Sequence, residues 1–391
     1  NIFSGRNGRP VLDATGFQIQ QRDRKSIALL NQISGQYIGR FFDNALRVEL
    51  GVRRPFFERE LQTFCPIQAR DGFAYCTSEN ILPRGSTFTP PAGSAANSIP
   101  IFVAQGDPLP TNAAFRPLFA PFEANYKFGK LLPNVGFTYS FDIPISIFGS
   151  YAKGFSAPRT DNLYNAPRVD VRPEETDAFD LGIRYTSSRV QAQMTGWMID
   201  YENRIVSSFD PDLGISIDRN VGLVKSKGFD ASVAVSPTRW LNLIGLVSYI
   251  DSELQENVQL GALPAGVTSC GTGPTPPAGC APTAGKKVVE QPTWQYGGRV
   301  SFDFNPVSFG IQAKRVGPRF ATDINDVKVK GYTTVDLDAR IELNALGLRD
   351  TYLQANVINL FNEFYFGNLS TRIQAAENPN FAVGSPRTFL A

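Results

Sequence analysis

Apolar and polar residues tend to alternate along this chain, in runs of roughly ten residues that begin at about Lys25 and continue to the end. In the run that starts at Trp294, the side chains of Trp294 and Tyr296 share one face of an extended chain, while Gln295 and Arg299 share the other. A period of two is typical of a β-strand with one apolar face and one polar face. The pattern therefore predicts an all-β protein.

Thirteen such runs can be identified, and short and long connectors alternate between them. The first run is weakly patterned, so a helix around 27–33 is a second interpretation of that stretch. Two connectors are especially long, at about 57–132 and 252–291. The predicted strands start near Lys25, Leu46, Asn134, Ile145, Thr176, Arg189, Asn220, Trp240, Trp294, Val307, Gly331, Tyr352 and Pro386.

Short turns at one end and long loops at the other are typical of a transmembrane antiparallel up-and-down β-barrel. In the strand from Gly331, the polar face carries Asp336, Asp338 and Arg340, which are costly in lipid but inexpensive in a wet lumen. Bacterial single-chain barrels have an even number of strands. We therefore expect residues 1–391 to be an incomplete barrel domain, with at least one more strand before Asn1.

Composition excludes several other classes of protein. No stretch offers the roughly twenty consecutive apolar residues of a membrane-spanning helix. Histidine is absent, which removes Ser-His-Asp and Cys-His nucleophile systems and histidine-based metal sites. The net charge of +2 gives no indication of a nucleic-acid surface. We expect no enzymatic activity, no cofactor and no metal site.

The four cysteines form two local pairs, Cys65 with Cys76 and Cys270 with Cys280. Each pair lies in a segment rich in Pro, Gly, Ser and Thr, within one of the two longest connectors. We expect two disulfides that close loops in an oxidising compartment.

Five segments, in this order, resemble the C-terminal barrel of TonB-dependent outer-membrane receptors. The resemblance covers roughly residues 46–391. The segments are YAKGFSAPRTDNLY (151–164), RPEETDAFDLGIRY (172–185), NVGLVKSKGFD (220–230), VINLFNEFYFG (357–367) and GSPRTF (384–389).

The resemblance implies a barrel of about 22 strands that encloses an N-terminal plug. It also implies ligand-gated uptake of a scarce nutrient, most simply a ferric siderophore, powered by the TonB-ExbB-ExbD complex. The expected location is the outer membrane of a Gram-negative bacterium, where lipid and lipopolysaccharide surround the barrel. The plug and the TonB-binding segment are not among these residues, so energy coupling is an inference about the parent protein. A passive porin-like channel is the alternative.

Ligand-contact candidates come from two predicted loops, because Arg suits anionic chelates and aromatic rings suit flat ligand faces. Solvated loop charges are the simpler interpretation of the same residues. Trp240, Trp294, Tyr249, Tyr296 and Tyr352 are better explained as interface aromatics or barrel wall. The ligand-contact candidates are Arg159, Asp161, Tyr164, Arg168, Arg315, Arg319 and Phe320.

Overall fold

The computed structural model describes residues 16, 23–69, 74–77, 80–83, 99–104, 115–158, 160, 162–164, 171–210, 215–220, 222–260, 263–344 and 347–390. Within these ranges, no helix has the length and apolar content needed to cross a membrane. Short 3₁₀ turns lie at Asn162–Tyr164 and Ala375–Glu377.

The regular secondary structure of the described residues consists almost entirely of β-strands. Up to the centre of the chain these are Arg24–Phe41 (β1), Leu46–Thr63 (β2), Ile67–Gln68 (β3), Ile99–Phe102 (β4), Phe115–Phe119 (β5), Glu123–Gly129 (β6), Leu132–Ser140 (β7), Ile145–Ser156 (β8), Glu174–Thr186 (β9), Val190–Glu202 (β10), Ile205–Asp210 (β11), Ile215–Asn220 (β12) and Val224–Thr238 (β13). Then follow Leu241–Leu254 (β14), Val258–Gln259 (β15), Cys280–Ala281 (β16), Trp294–Phe304 (β17), Val307–Val316 (β18), Arg319–Phe320 (β19), Lys328–Val329 (β20), Tyr332–Glu342 (β21), Tyr352–Ile358 (β22), Phe366–Ser370 (β23), Asn380–Val383 (β24) and Thr388–Leu390 (β25).

One antiparallel sheet of 14 strands organises the described residues. Its order is β1-β2-β7-β8-β9-β10-β13-β14-β17-β18-β21-β22-β25, which follows the chain without a crossover, and β6 also pairs with β2. Strands β6 and β7 pair with successive parts of β2, so together they act as one long strand interrupted at residues 130–131. This is the predicted up-and-down antiparallel architecture.

Each of the thirteen predicted strands corresponds to one strand of that path. The first is an extended strand from Arg24 to Phe41, so the helical interpretation of 27–33 is wrong. Its ladder with β2 is continuous from Arg24 opposite Thr63 to Phe41 opposite Leu46. Cross-strand hydrogen bonding along this whole length overrides the weak local pattern.

Several predicted boundaries differ from the structure. Strand β2 continues to Thr63, so the connector predicted at about 57–132 starts later and ends in β6. The connector at about 252–291 is likewise flanked by β14, which runs to Leu254, and β17. The strand predicted to start at Asn220 starts at Val224, because Asn220 ends the hairpin of β11 and β12. Strand pairs therefore form inside connectors that sequence alone indicated as irregular.

The ladders assign every sheet residue to one of two faces, because directly opposed residues share a face. On the first, which we call the apolar face, Val300 of β17 lies opposite Leu243 of β14 and Ile311 of β18. On the second, the polar face, Arg299 lies opposite Gln312, and Gln312 lies opposite Asp336. One face therefore suits hydrocarbon and the other suits water.

Aromatic rings border the apolar face at both ends of the strands. Near the long connectors, Trp294 packs against Tyr249 with ring centroids 4.7 Å apart. Near the short turns, Trp240 stacks on Phe304 at 5.3 Å. From Leu241 to Tyr249 the strand covers roughly 27 Å, or about 20 Å along the barrel axis at the usual tilt. This apolar band with aromatic borders has the dimensions of a transmembrane barrel wall.

The face assignment can be tested on two neighbouring residues of β13. Val233 lies on the apolar face and Ser232 on the polar face. We expect Val233→Arg to destabilise the barrel in lipid by about 2–4 kcal/mol, because it places a guanidinium near the middle of the hydrocarbon. Ser232→Arg should change the free energy of unfolding much less. The measurement is reversible unfolding in bilayers, and equal costs for the two variants would contradict the assignment.

Candidate functional site

The polar face contains a broad groove that crosses from β10 to β21, with a volume of about 710 Å³. Its lining combines polar side chains with the apolar side chains of Ile244 and Leu246. The polar side chains that line it include Asp230, Ser248, Gln295, Arg299, Gln312, Lys314 and Asp336.

Most charged groups in and beside this groove already have partners. Arg299 binds Asp338 through two hydrogen bonds, from Nη1 to Oδ1 at 2.7 Å and from Nη2 to Oδ2 at 3.0 Å. Gln312 Nε2 donates to Asp336 Oδ2 at 2.9 Å. Asp230 accepts from Trp197 Nε1 at 2.8 Å and from the hydroxyl of Ser248. The wall is thus a preorganised polar surface whose residues hold each other in fixed rotamers.

At the end of the sheet with long connectors, three loops are joined to one another: residues 255–293, 317–331 and 359–387. Asn325 joins the first two. Its Oδ1 accepts from Lys287 N at 2.8 Å, and its Nδ2 donates to Lys287 O at 2.9 Å. Because both backbone groups of Lys287 are satisfied by one side chain, Asn325 acts as a cross-link between these loops.

Backbone hydrogen bonds continue this connection to the third loop. Asp323 N donates to Arg372 O at 3.0 Å, and Ile324 N donates to Ile373 O at 3.0 Å. Ile373 is fully buried in an apolar cluster with Leu254 and Val288. The three loops therefore pack around a small core that they share with the ends of β13 and β14.

Lys287 links the same loop assembly to strand β14. Its Nζ donates to Glu253 Oε1 at 2.8 Å and also to Asp251 Oδ1. Burial acts to lower the pKa of Lys287, but the hydrogen bonds to Asp251 and Glu253 outweigh it and hold the pKa above its ordinary value. The ammonium therefore remains charged at neutral pH, and its stabilising contribution is lost only as the pH rises through that raised pKa.

Four ligand-contact candidates come from the predicted loop at residues 156–173. Of these, Tyr164 is among the described residues. Arg159, Asp161 and Arg168 lie outside the described residues. Tyr164 is 5 % exposed, and its hydroxyl donates to Lys25 O at 2.6 Å. Its ring packs against that of Phe122. Tyr164 thus fastens its loop to the start of β1.

The other three candidates lie on or beside β18 and the β19–β20 hairpin. Arg315 lies on the apolar face, opposite Tyr296 and Thr333. Arg319 is 8 % exposed, and its Nη2 donates to Phe366 O at 2.7 Å, which joins the hairpin to the third loop. Phe320 lies directly opposite Lys328.

Side-chain amides that fasten loops are the functional feature that sequence reasoning mostly missed. Asn359 is buried, its Oδ1 accepts from Glu363 N at 2.8 Å, and its Nδ2 donates to Ser385 O at 3.0 Å. These contacts order the loop that follows β22. Asn220 similarly bonds both backbone groups of Arg172. Nothing in the sequence around Asn325 indicates its partner, because Lys287 is distant along the chain.

Both predicted disulfides are present, between Cys65 and Cys76 and between Cys270 and Cys280. The second closes part of the 255–293 loop, where Asn257 Nδ2 donates to Gly273 O at 2.7 Å. Across the described residues, no group of three or more His, Cys, Asp or Glu side chains is placed to hold a metal ion.

The cross-link at Asn325 generates a test of loop rigidity. We expect Asn325→Ala and Asn325→Gly to speed amide exchange at Lys287 by roughly 5- to 100-fold, because two hydrogen bonds worth about 1–3 kcal/mol together are lost. The glycine variant separates this loss from backbone strain, since Asn325 has φ of 62°. Hydrogen exchange read by mass spectrometry is the measurement.

Asn344 provides a matched control at the opposite end of the sheet, where its Oδ1 accepts from Asp350 N at 3.2 Å. Asn344→Ala should leave exchange at Lys287 unchanged. Unaltered exchange in Asn325→Gly would contradict the cross-link.

Comparison with known proteins places these features in a family. The family model "TonB dependent receptor-like, beta-barrel" matches residues 3–360. The metal-pseudopaline receptor CntO of Pseudomonas aeruginosa is 26% identical over 238 residues, which are 60% of this chain and 30% of that protein.

Two solved structures share the fold. The siderophore receptor PiuA of Acinetobacter baumannii has a TM-score of 0.61 at 19% identity, covering 93% of this chain and 42% of that one. The ferric-catecholate import receptor Fiu of E. coli, in its open form, has a TM-score of 0.57 at 14% identity. The match covers 94% of this chain and 41% of that one. The chain thus spans less than half the length of these relatives.

Members of this family are outer-membrane β-barrel receptors of Gram-negative bacteria and act in transport rather than as enzymes. The alternating faces, the aromatic borders and the family match over most of the sequence lead to one conclusion. This chain belongs to the TonB-dependent receptors and forms part of their β-barrel domain.

Proposed function

We propose that this chain is the barrel part of an outer-membrane receptor that imports a metal chelate, most simply a ferric siderophore, in a ligand-gated and energy-coupled manner. The family match over residues 3–360 is the observation that carries the proposal. The relatives support a metal-chelate ligand, since one is named a metal-pseudopaline receptor, one a siderophore receptor and one a ferric-catecholate import receptor.

In this proposal, the β19–β20 hairpin forms part of the surface that binds the ligand. Arg319 and Val329 oppose each other and are buried, so the hairpin rests on that side. Phe320 and Lys328 therefore share the other side, with Lys328 Nζ 5.7 Å from the centre of the Phe320 ring. A cation beside an aromatic ring suits an anionic chelate with flat aromatic groups. In this proposal Arg319 braces the hairpin and Phe320 contacts the ligand.

Energy would come from the TonB-ExbB-ExbD complex, acting on a plug enclosed by the whole barrel. The polar face supports this arrangement because its groups are preorganised and wettable, as a wall against a folded plug requires. In the outer membrane of a Gram-negative bacterium, the apolar face would contact lipid and the acyl chains of lipopolysaccharide.

Transport through the full-length receptor tests the function against a passive porin-like channel. We expect uptake of radiolabelled ferric siderophore in a strain that expresses the receptor, and loss of that uptake when tonB is deleted. A panel of catecholate, hydroxamate and carboxylate siderophores would identify the class. Solute entry that continues at the same rate without TonB would contradict the proposal and support the channel.

Binding measurements test the hairpin separately. Phe320→Ala and Lys328→Gln should each weaken binding of the transported chelate by roughly 3- to 10-fold, because each removes a contact worth about 0.5–1.5 kcal/mol. Lys330→Gln is the control, since Lys330 is exposed and close to the hairpin in sequence. Unchanged affinity in both hairpin variants would contradict the proposal that this hairpin contacts the ligand.

A further inference from the structure

A second groove lies on the apolar face, at the end of the strands near the long connectors. Its volume is about 670 Å³. Strands β9, β10, β13 and β14 form its walls, and backbone forms its floor. The side chains of the apolar face that line it are Phe179, Leu181, Met198, Lys227, Phe229 and Tyr249.

The groove exists because Gly196 has no side chain. In the ladders, Gly196 lies between Leu181 of β9 and Phe229 of β13. A Cβ built at Gly196 would meet nothing closer than Leu181 O at 4.0 Å, so the space above it is open. Its flanking side chains remain accessible, with Leu181 64% and Met198 56% exposed. An open apolar slot of this kind on a lipid-facing wall suits an extended acyl chain.

Charged residues begin immediately beyond the groove, and most of them neutralise each other. Lys153 Nζ lies 2.9 Å from Asp177 Oδ2, and Lys130 Nζ lies 2.8 Å from Glu175 Oε2. On the other side of the groove, Lys287 forms ion pairs with both Asp251 and Glu253. Lys225 lies opposite Asp200 in the ladder. The carboxylates nearest the groove are thus already balanced by other lysines.

Lys227 differs from these lysines. It lines the groove itself, and its side chain is 68% exposed. Its ion pair with Asp251 is long, at 3.7 Å between Nζ and Oδ2, because Lys287 binds the other oxygen of that carboxylate. The groove therefore ends in a weakly paired ammonium at the level where hydrocarbon gives way to head groups.

We propose that this groove binds one acyl chain of a lipopolysaccharide molecule, whose lipid A phosphate pairs with Lys227. The inference rests on the proposed outer-membrane location of this chain, which also puts lipopolysaccharide in the leaflet on the side of the long loops. A phosphate gives Lys227 a closer anionic partner than Asp251, whose Oδ2 lies 3.7 Å from Nζ, and an acyl chain fills the space above Gly196. The site is separate from the polar face and from the hairpin of Phe320.

The test uses the full-length receptor, purified in mild detergent from outer membranes, with lipid A per receptor quantified by mass spectrometry. Gly196→Leu fills the groove, and Lys227→Gln removes the ammonium. Gly298→Leu is the matched control, because Gly298 is also a glycine of the apolar face and its added Cβ would make only an ordinary contact, with Ile244 O at 3.5 Å. Heat-modifiable migration on gels verifies that each variant is folded.

We expect wild type and Gly298→Leu to retain lipid A. Both groove variants should carry at least about five-fold less lipid A per receptor than wild type. Undiminished lipid A in folded Gly196→Leu would overturn the proposal, as would recovery of phospholipid in its place. Siderophore uptake, measured on the same variants, should be unchanged. Loss of the transport function with retained lipid A would contradict the proposed function alone, whereas absence of the receptor from outer membranes would overturn both.

Discussion

The structure depends on one constraint: in hydrocarbon, every backbone N–H and C=O must be paired within the protein. The antiparallel ladder meets that requirement for the strands inside the sheet, and its period of two then decides the chemistry of both faces. Val300 and Arg299 are neighbours in sequence, yet one faces lipid and the other pairs with Asp338. A shift of one residue in register would exchange the faces, so the polar wall and the apolar band are specified together.

Local alternation was sufficient to predict most of the sheet. Strands such as β17 and β18 are recognisable because most of their residues obey the pattern, although Arg315 lies on the apolar face. Even β1 was placed, although Leu29 and Leu30 are adjacent. The hairpin of β11 and β12 was missed because each strand has only six residues and their apolar residues do not alternate regularly with polar ones. The extension of β2 to Thr63 was missed for a related reason, since beyond the apolar band the strand no longer needs to alternate.

The candidate site was much less predictable. Charges on one face of β21 indicated a wet side, but the pairing of Arg299 with Asp338 depends on the register of three strands. The cross-link from Asn325 to Lys287 depends on how two loops meet, and no local pattern encodes that contact. Arg319 was nominated for its charge, whereas its burial and its bond to Phe366 O make it a brace for the loops. Cysteine pairing, in contrast, followed from spacing alone.

Lipid exposure along β14 is the sharpest test of which face of the sheet contacts the membrane. Single nitroxide labels at each position from Leu241 to Tyr249, in the full-length receptor reconstituted in bilayers, report collision with dissolved oxygen. The account predicts that oxygen accessibility alternates with a period of two, with maxima at the apolar-face positions 243, 245 and 247 and minima at 242, 244, 246 and 248. Uniform accessibility, or maxima at the even positions, would contradict the assignment of faces and with it the barrel wall on which the rest of the account depends.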